Sequence, residues 1–156
     1  ARSGFLVQTA ALTVTKAVGA YCDPVTFNSN PKLVPGAYAR YTITLANSAT
    51  ASTSATLGEV ADTLVTQLGF DANLINASAS SCATPTSAAG KGVRVSCTGG
   101  TRACATTPIY LDTSTTVTGQ NISVNLGTVL PVEAGYTAGQ LKPGESVQVI
   151  FNAIVQ

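Results

Sequence analysis

Side chains that hold, move or lose a proton are the starting point for catalysis, and this sequence is poor in them. It contains no histidine, so the usual general base and commonest metal ligand is missing. Ser and Thr are abundant, but a hydroxyl becomes a nucleophile only beside a group that takes its proton. Lys16, Lys32, Lys91 and Lys142 are the lysines available for that role, and none stands in a nucleophile motif. The acids are Asp23, Glu59, Asp62, Asp71, Asp112, Glu133 and Glu145, scattered singly, whereas glycoside hydrolysis needs two carboxyls flanking one bond. No Gly-rich phosphate loop leads into a helix. The chain reads as a non-enzyme that takes no cofactor.

Two further kinds of site are testable by residue type. Oxygen ligands gather at Asp71, Asn73 and Asn76, and at Asp23 and Asn28. Neither group has the acidic density of a dedicated calcium loop, and Asx turns account for such clusters, so no metal is expected. Asn76-Ala77-Ser78 and Asn121-Ile122-Ser123 match the glycosylation triplet; Asn76 falls in a predicted loop and Asn121 in a predicted strand. The four cysteines, Cys22, Cys82, Cys97 and Cys104, suit two disulfides in an oxidising compartment, since no Cys-x-x-Cys pair supports a metal site. Their connectivity stays open. A local Cys97–Cys104 bridge across Thr98 to Ala103 leaves Cys22–Cys82, and Cys82–Cys97 is the rival pairing.

The elements that must position these residues are strands. Tyr41, Ile43 and Leu45 alternate with Arg40, Thr42 and Thr44; Ile122, Val124 and Leu126 alternate with Asn121, Ser123 and Asn125. Val93 and Val95, and then Val147, Val149 and Phe151, repeat the pattern. Period-two runs rich in Thr, Val and Ile are half-buried antiparallel strands, and many of them without intervening helices predict an all-β sandwich. The best helical candidate, Ala61 to Leu68, is short and rich in β-branched residues. Pro35-Gly36 and Pro143-Gly144 each introduce a strand, which predicts equivalent turns at two corners. Residues 77–108, holding three of the cysteines, read as a long surface excursion with a small hairpin, stapled by disulfides because it has little core.

Composition narrows the partners. At 156 residues the chain is one domain, and its 10% charged content is well below the roughly 25% of ordinary soluble domains. A neutral, hydroxyl-rich surface offers little repulsion between identical copies. The formal charge of +1 comes without a dense basic run, which argues against nucleic acid. No stretch approaches the roughly 20 apolar residues of a membrane span. The first residue is Ala, which reads as a processed chain.

Leu12-Thr13-Val14-Thr15-Lys16, Pro35-Gly36 followed by Tyr41-Thr42-Ile43-Thr44-Leu45-Ala46-Asn47, Asp62-Thr63-Leu64, and Leu141-Lys142-Pro143-Gly144-Glu145-Ser146-Val147 occur in that order. Together they resemble the conserved-repeat domain of prokaryotic cell-surface proteins. The resemblance implies an immunoglobulin-like antiparallel β-sandwich over residues 12–156, used in adhesins and envelope proteins, with no catalytic residues. This chain departs from the pattern in its leading arm and its cysteine-rich excursion.

Residues 1–11 are that arm. Phe5, Leu6 and Val7 are consecutive, so both faces of an extended strand there are apolar, and Ala10 continues it. The segment from Phe5 to Leu12 lacks the charge or proline that blunts an edge strand. In the last strand, Ile150 and Ile154 point away from Val149, Phe151 and Val155, which predicts a second subunit contact. The expectation is an extracellular, cell-surface filament subunit, a homopolymer built by donating residues 1–11 to a neighbour's sheet. The alternative is a monomeric adhesin or ligand-binding module whose 77–108 excursion contacts an unidentified cell-surface or host ligand.

Overall fold

A computed structural model describes residues 8–85, 92–111 and 114–156. The chain runs through β1 (Leu12–Cys22), β2 (Tyr38–Asn47), β3 (Ala55–Thr56), β4 (Glu59–Thr63), β5 (Leu68–Phe70) and β6 (Val93–Thr98). It continues through α1 (Ala103–Thr106), β7 (Ile109–Leu111), β8 (Thr115–Thr118), β9 (Asn121–Asn125), α2 (Leu126–Val129), β10 (Gln140–Leu141) and β11 (Ser146–Val155). All strand pairs are antiparallel, and the fold is an all-β sandwich.

One sheet has the order β1-β2-β11-β6-β7, with β5 pairing the end of β11; the opposing sheet is only β4-β9-β8, and β3 and β10 form a separate small pair. Between the sheets lie Ile43 and Leu45 of β2, Val93 and Val95 of β6, Ile122 and Val124 of β9, and Val147, Val149 and Phe151 of β11. The alternation read from the sequence sends these side chains to one face, as a period of two requires. Phe151 stacks on Tyr41 with ring centroids 5.0 Å apart.

Both Pro-Gly turns form as expected. Gly36 and Gly144 share φ of 82°, a conformation that glycine adopts without a Cβ penalty. Each turn closes with a backbone bond, Ala37 N–H to Val34 and Glu145 N–H to Lys142. They introduce β2 and β11, which pair with each other from Ser146↔Ala46 to Ile154↔Tyr38. The two turns therefore cap opposite ends of one strand pair.

Three expectations are corrected. The helical candidate Ala61 to Leu68 is the end of β4 followed by a turn, closed by Leu68 N–H to Val65; pairing with β9 decides the matter, with Val60 opposite Val124. Residues 77–108 are not wholly a surface excursion, because β6 lies beside β11 in the large sheet, with Val93 and Val95 fully buried. Ile150 is not a surface contact. It is 6% exposed on the face of β11 away from the inter-sheet core. Beside it on that face, the 71–76 segment docks through Asn152 Nδ2–H to Ile75 O, 3.0 Å, and Asp71 N–H to Asn152 O. Ile154 is half-buried, with Tyr38 on one flank and Gly69 on the other. The double-faced apolar character of β11 comes from a central strand covered on both sides by its own chain.

The disulfides join Cys22 to Cys82 and Cys97 to Cys104, the local pairing and its complement. The first closes a separation of 60 residues and the second one of 7. Chain entropy makes the longer closure worth ~2 kcal/mol more. Denaturant unfolding of the Cys22→Ser/Cys82→Ser and Cys97→Ser/Cys104→Ser variants should show the larger loss in the first pair. Phe151→Ala should cost about 3–5 kcal/mol in the same measurement, as a large side chain removed from a closed core.

Candidate functional site

A six-strand sheet facing a three-strand sheet leaves flanks without cover, and β1 bears most of the consequence. Leu12, Val14, Lys16 and Val18 stand opposite Asn47, Leu45, Ile43 and Tyr41 of β2. Directly paired residues share a face, so these four side chains point toward the inside of the sandwich. Yet Leu12 is 43%, Val14 60% and Val18 56% exposed. Thr13, Thr15, Ala17 and Gly19 take the other face, as in a half-buried strand. The pattern of burial is present and the burial is not.

Across from this strip runs β4, which pairs with β9 and leaves its other edge unpaired among the described residues. Between β1 and β4 lies an open groove of about 290 Å³, lined by Val14, Lys16, Ile43, Leu45, Val60 and Asp62 among others. One ion pair spans it, Lys16 Nζ to Asp62 Oδ1 at 2.6 Å, with the ammonium also 5.1 Å from the centre of the Tyr41 ring. The Lys16 side chain is 44% exposed, so water screens the pair strongly and its worth is small. The second carboxyl oxygen, Asp62 Oδ2, is buried with no hydrogen-bond partner among the described residues.

A larger cleft opens on the opposite flank, lined by Phe70, Gly92, Leu111 and Val117.

Of the predicted arm, Phe5, Leu6 and Val7 also lie outside the described residues, and Ala10 is exposed. The arm's expected boundary at residue 11 moves. Thr9 N–H donates to Ser52 Oγ at 2.8 Å and Ala11 N–H to Asn47 Oδ1 at 3.1 Å, while Ser48 and Ser52 N–H donate back to Ala11 and Thr9. Residues 9–11 thus continue the line of β1 past the end of β2, held to their own chain. Asn76 is exposed, as is Asn121, whose Oδ1 accepts the Thr63 hydroxyl at 2.7 Å.

The candidate oxygen clusters are occupied by the protein's own donors. Asp23 is 1% exposed and accepts Val25 N–H, Thr26 N–H, the Thr26 hydroxyl and Lys32 N–H, all within 2.7 Å. Asp71 accepts Asn73 N–H, Ile75 N–H and Asn152 Nδ2–H. Both carboxylates knit loops and leave little lone-pair capacity for a cation.

Sequence reasoning missed a buried charge cluster. Arg102 is 2% exposed and donates to the carbonyls of Gln140, Pro131 and Thr137 and to Glu133, the last at 2.8 Å. Its guanidinium lies 4.4 Å from the centre of the Tyr136 ring, whose hydroxyl bonds to the buried Glu145. Each of the three guanidinium nitrogens donates within the chain, so the cluster holds the Cys97–Cys104 turn in place. The arginine's position beside a predicted turn gave no signal of its burial. Among the described residues no group of three metal-ligating side chains forms, and no helix is long and apolar enough to cross a membrane.

No family model, curated protein or solved structure matches the chain.

Asp23 makes the loop network pH-sensitive. The Thr26 backbone N–H, then its hydroxyl, hold the carboxyl well below the usual carboxylate range, with Lys32 and Val25 adding to the effect against the opposing pull of burial. A depressed folded pKa means the contribution is complete above the unfolded value of about 3.9 and is lost as pH falls toward the folded one. Thermal melts from about pH 5 to about pH 2 should show a decline in Tm that is shallower in Asp23→Ala. Equal slopes would locate the acid sensitivity elsewhere.

Proposed function

We propose that this chain is a structural subunit of an extracellular pilus-like filament, assembled by donor-strand complementation. Residues 1–8 of one copy complete the sandwich of the next. The observation that carries the reading is β1, whose inward-facing Leu12, Val14 and Val18 are 43%, 60% and 56% exposed. Apolar side chains arranged for a core but left in water mark a surface that gains by association. The sequence supplies the complementary piece in Phe5-Leu6-Val7, apolar on both faces.

The magnitudes are sufficient. Burying Phe5 and Val7, which share a face of the strand, contributes about 1.5–3 kcal/mol each, and each strand hydrogen bond adds roughly 1 kcal/mol net. These gains oppose the entropy lost on association. Donor and acceptor are different surfaces, so the contact is heterologous and repeats into an open filament. Two disulfides suit an oxidising compartment outside the cytoplasm. The resemblance of the Pro-Gly and Thr-Ile-Thr-Leu-Ala-Asn segments to prokaryotic cell-surface repeat domains agrees with a surface location.

Negative-stain microscopy of the unmodified chain should show filaments. Leu6→Asp combined with Phe5→Asp should leave a monomer by light scattering, with the far-ultraviolet circular dichroism of the native chain. Ordinary filaments from that double variant would sink the proposal.

A further inference from the structure

We infer that the acceptor for the incoming strand is the groove between β1 and β4, and that its occupant is residues 1–8 of a second copy of this chain. The strand would hydrogen-bond along the free edge of β4 and lay Phe5 and Val7, which share a face, on Leu12, Val14 and Val18. This rests on the donor-strand reading above and adds the site, the edge and the occupant.

Four observations converge on this flank. First, the narrower sheet ends at β4, directly across from the uncovered strip of β1. One strand added at β4 covers that strip, because strands within a sheet are spaced about 4.8 Å apart and stacked sheets about 10 Å. Second, the lengths agree. The strip from Leu12 to Val18 is seven residues, and residues 1–8 span it when extended at about 3.3 Å per residue.

Third, the direction of the chain favours another copy. Thr9 and Ala11 are bonded to Ser52, Asn47 and Ser48 beyond the end of β2. The groove lies alongside residues 12–18, the opposite way. Filling its own groove would require the chain to reverse direction before Thr9, whereas a second copy can enter along the groove without a turn. Fourth, the polar groups are complementary. Arg2 is the only charged side chain in residues 1–8, while β4 carries Glu59 and Asp62. Asp62 Oδ2 is a buried acceptor still without a donor among the described residues. In the free chain the long, half-exposed Lys16 side chain lies across the groove on Asp62 Oδ1; it swings outward when the strand enters.

The opposite flank is the natural competitor, since Val117 of β8 is 40% exposed there. Thiol cross-linking on the full chain separates the two. All four native cysteines are bonded, so introduced thiols are the only reactive ones. Chains carrying Val7→Cys are mixed with chains carrying Val14→Cys, Val18→Cys or Val117→Cys, assembled, treated with a short bis-maleimide and resolved on a denaturing gel. The expected result is a covalent dimer with Val14→Cys and Val18→Cys and a several-fold weaker one with Val117→Cys.

Filaments that cross-link through Val117 instead overturn the groove assignment and leave donor-strand assembly standing. Filaments that cross-link at neither flank do the same. When Val7→Cys and Val14→Cys are placed in one chain, a cross-link confined to the monomer means the chain fills its own groove, which overturns the second-copy assignment. Unmodified chains that stay monomeric, together with cysteine variants that never cross-link between chains, overturn both proposals.

Discussion

The structure depends on a mismatch in width. Six strands lie on one side of the core and three on the other, and a narrow sheet cannot cover a wide one. The centre satisfies itself: β11 is flanked by β2 and β6, and its Val147, Val149 and Phe151 are buried between the sheets. At the margin the cover runs out. β1 keeps the alternation of a core strand while its inward side chains meet solvent. The apolar content that drives folding at the centre becomes, at the edge, a drive toward association.

The same fold shows how a chain with few charges handles the ones it buries. Arg102 spends its donors on three carbonyls and Glu133. Asp23 and Asp71 are each ringed by donors, mostly backbone amides, and Glu145 takes the Tyr136 hydroxyl and Lys142 N–H. Each buried charge ties a loop that carries little apolar surface. The disulfides serve the same purpose: Cys22–Cys82 fastens the end of β1 to the segment that follows β5, and Cys97–Cys104 fastens the turn after β6. Asp62, like Arg94 with its Nε, is not fully partnered among the described residues. One of its oxygens is buried and unpartnered among the described residues, and it lies at the uncovered margin. A polar group left short of hydrogen bonds and an apolar strip left short of contacts occur at the same place.

Much of the fold was legible because strand alternation is local. The runs around Ile43, Val95, Ile122 and Val149 each declare which side chains face inward, and all do so. The Pro-Gly turns were legible for a similar reason, since proline and glycine set φ by themselves. Strand order was not legible. The sequence around Ile150 looked like an outward contact because a run apolar on both faces reads alike in a central strand and in an edge strand awaiting a partner. The alternation at Val93 and Val95 reads as a strand, but its place beside β11 in the large sheet does not, because the pairing partner lies more than fifty residues later.

The sequence by itself determined the all-β class, the faces of its strands, the two turns and the presence of an apolar segment before β1. Each of those rests on the conformational preference or side-chain period of a few neighbouring residues. Tertiary structure alone decided that β11 is central, that Cys22 meets Cys82, that Arg102 is buried, and that β1 and the edge of β4 face one another across an open groove. These depend on which distant strands pair and on how many lie in each sheet. A local pattern cannot carry that information, because the same alternation serves a covered strand and an uncovered one equally well.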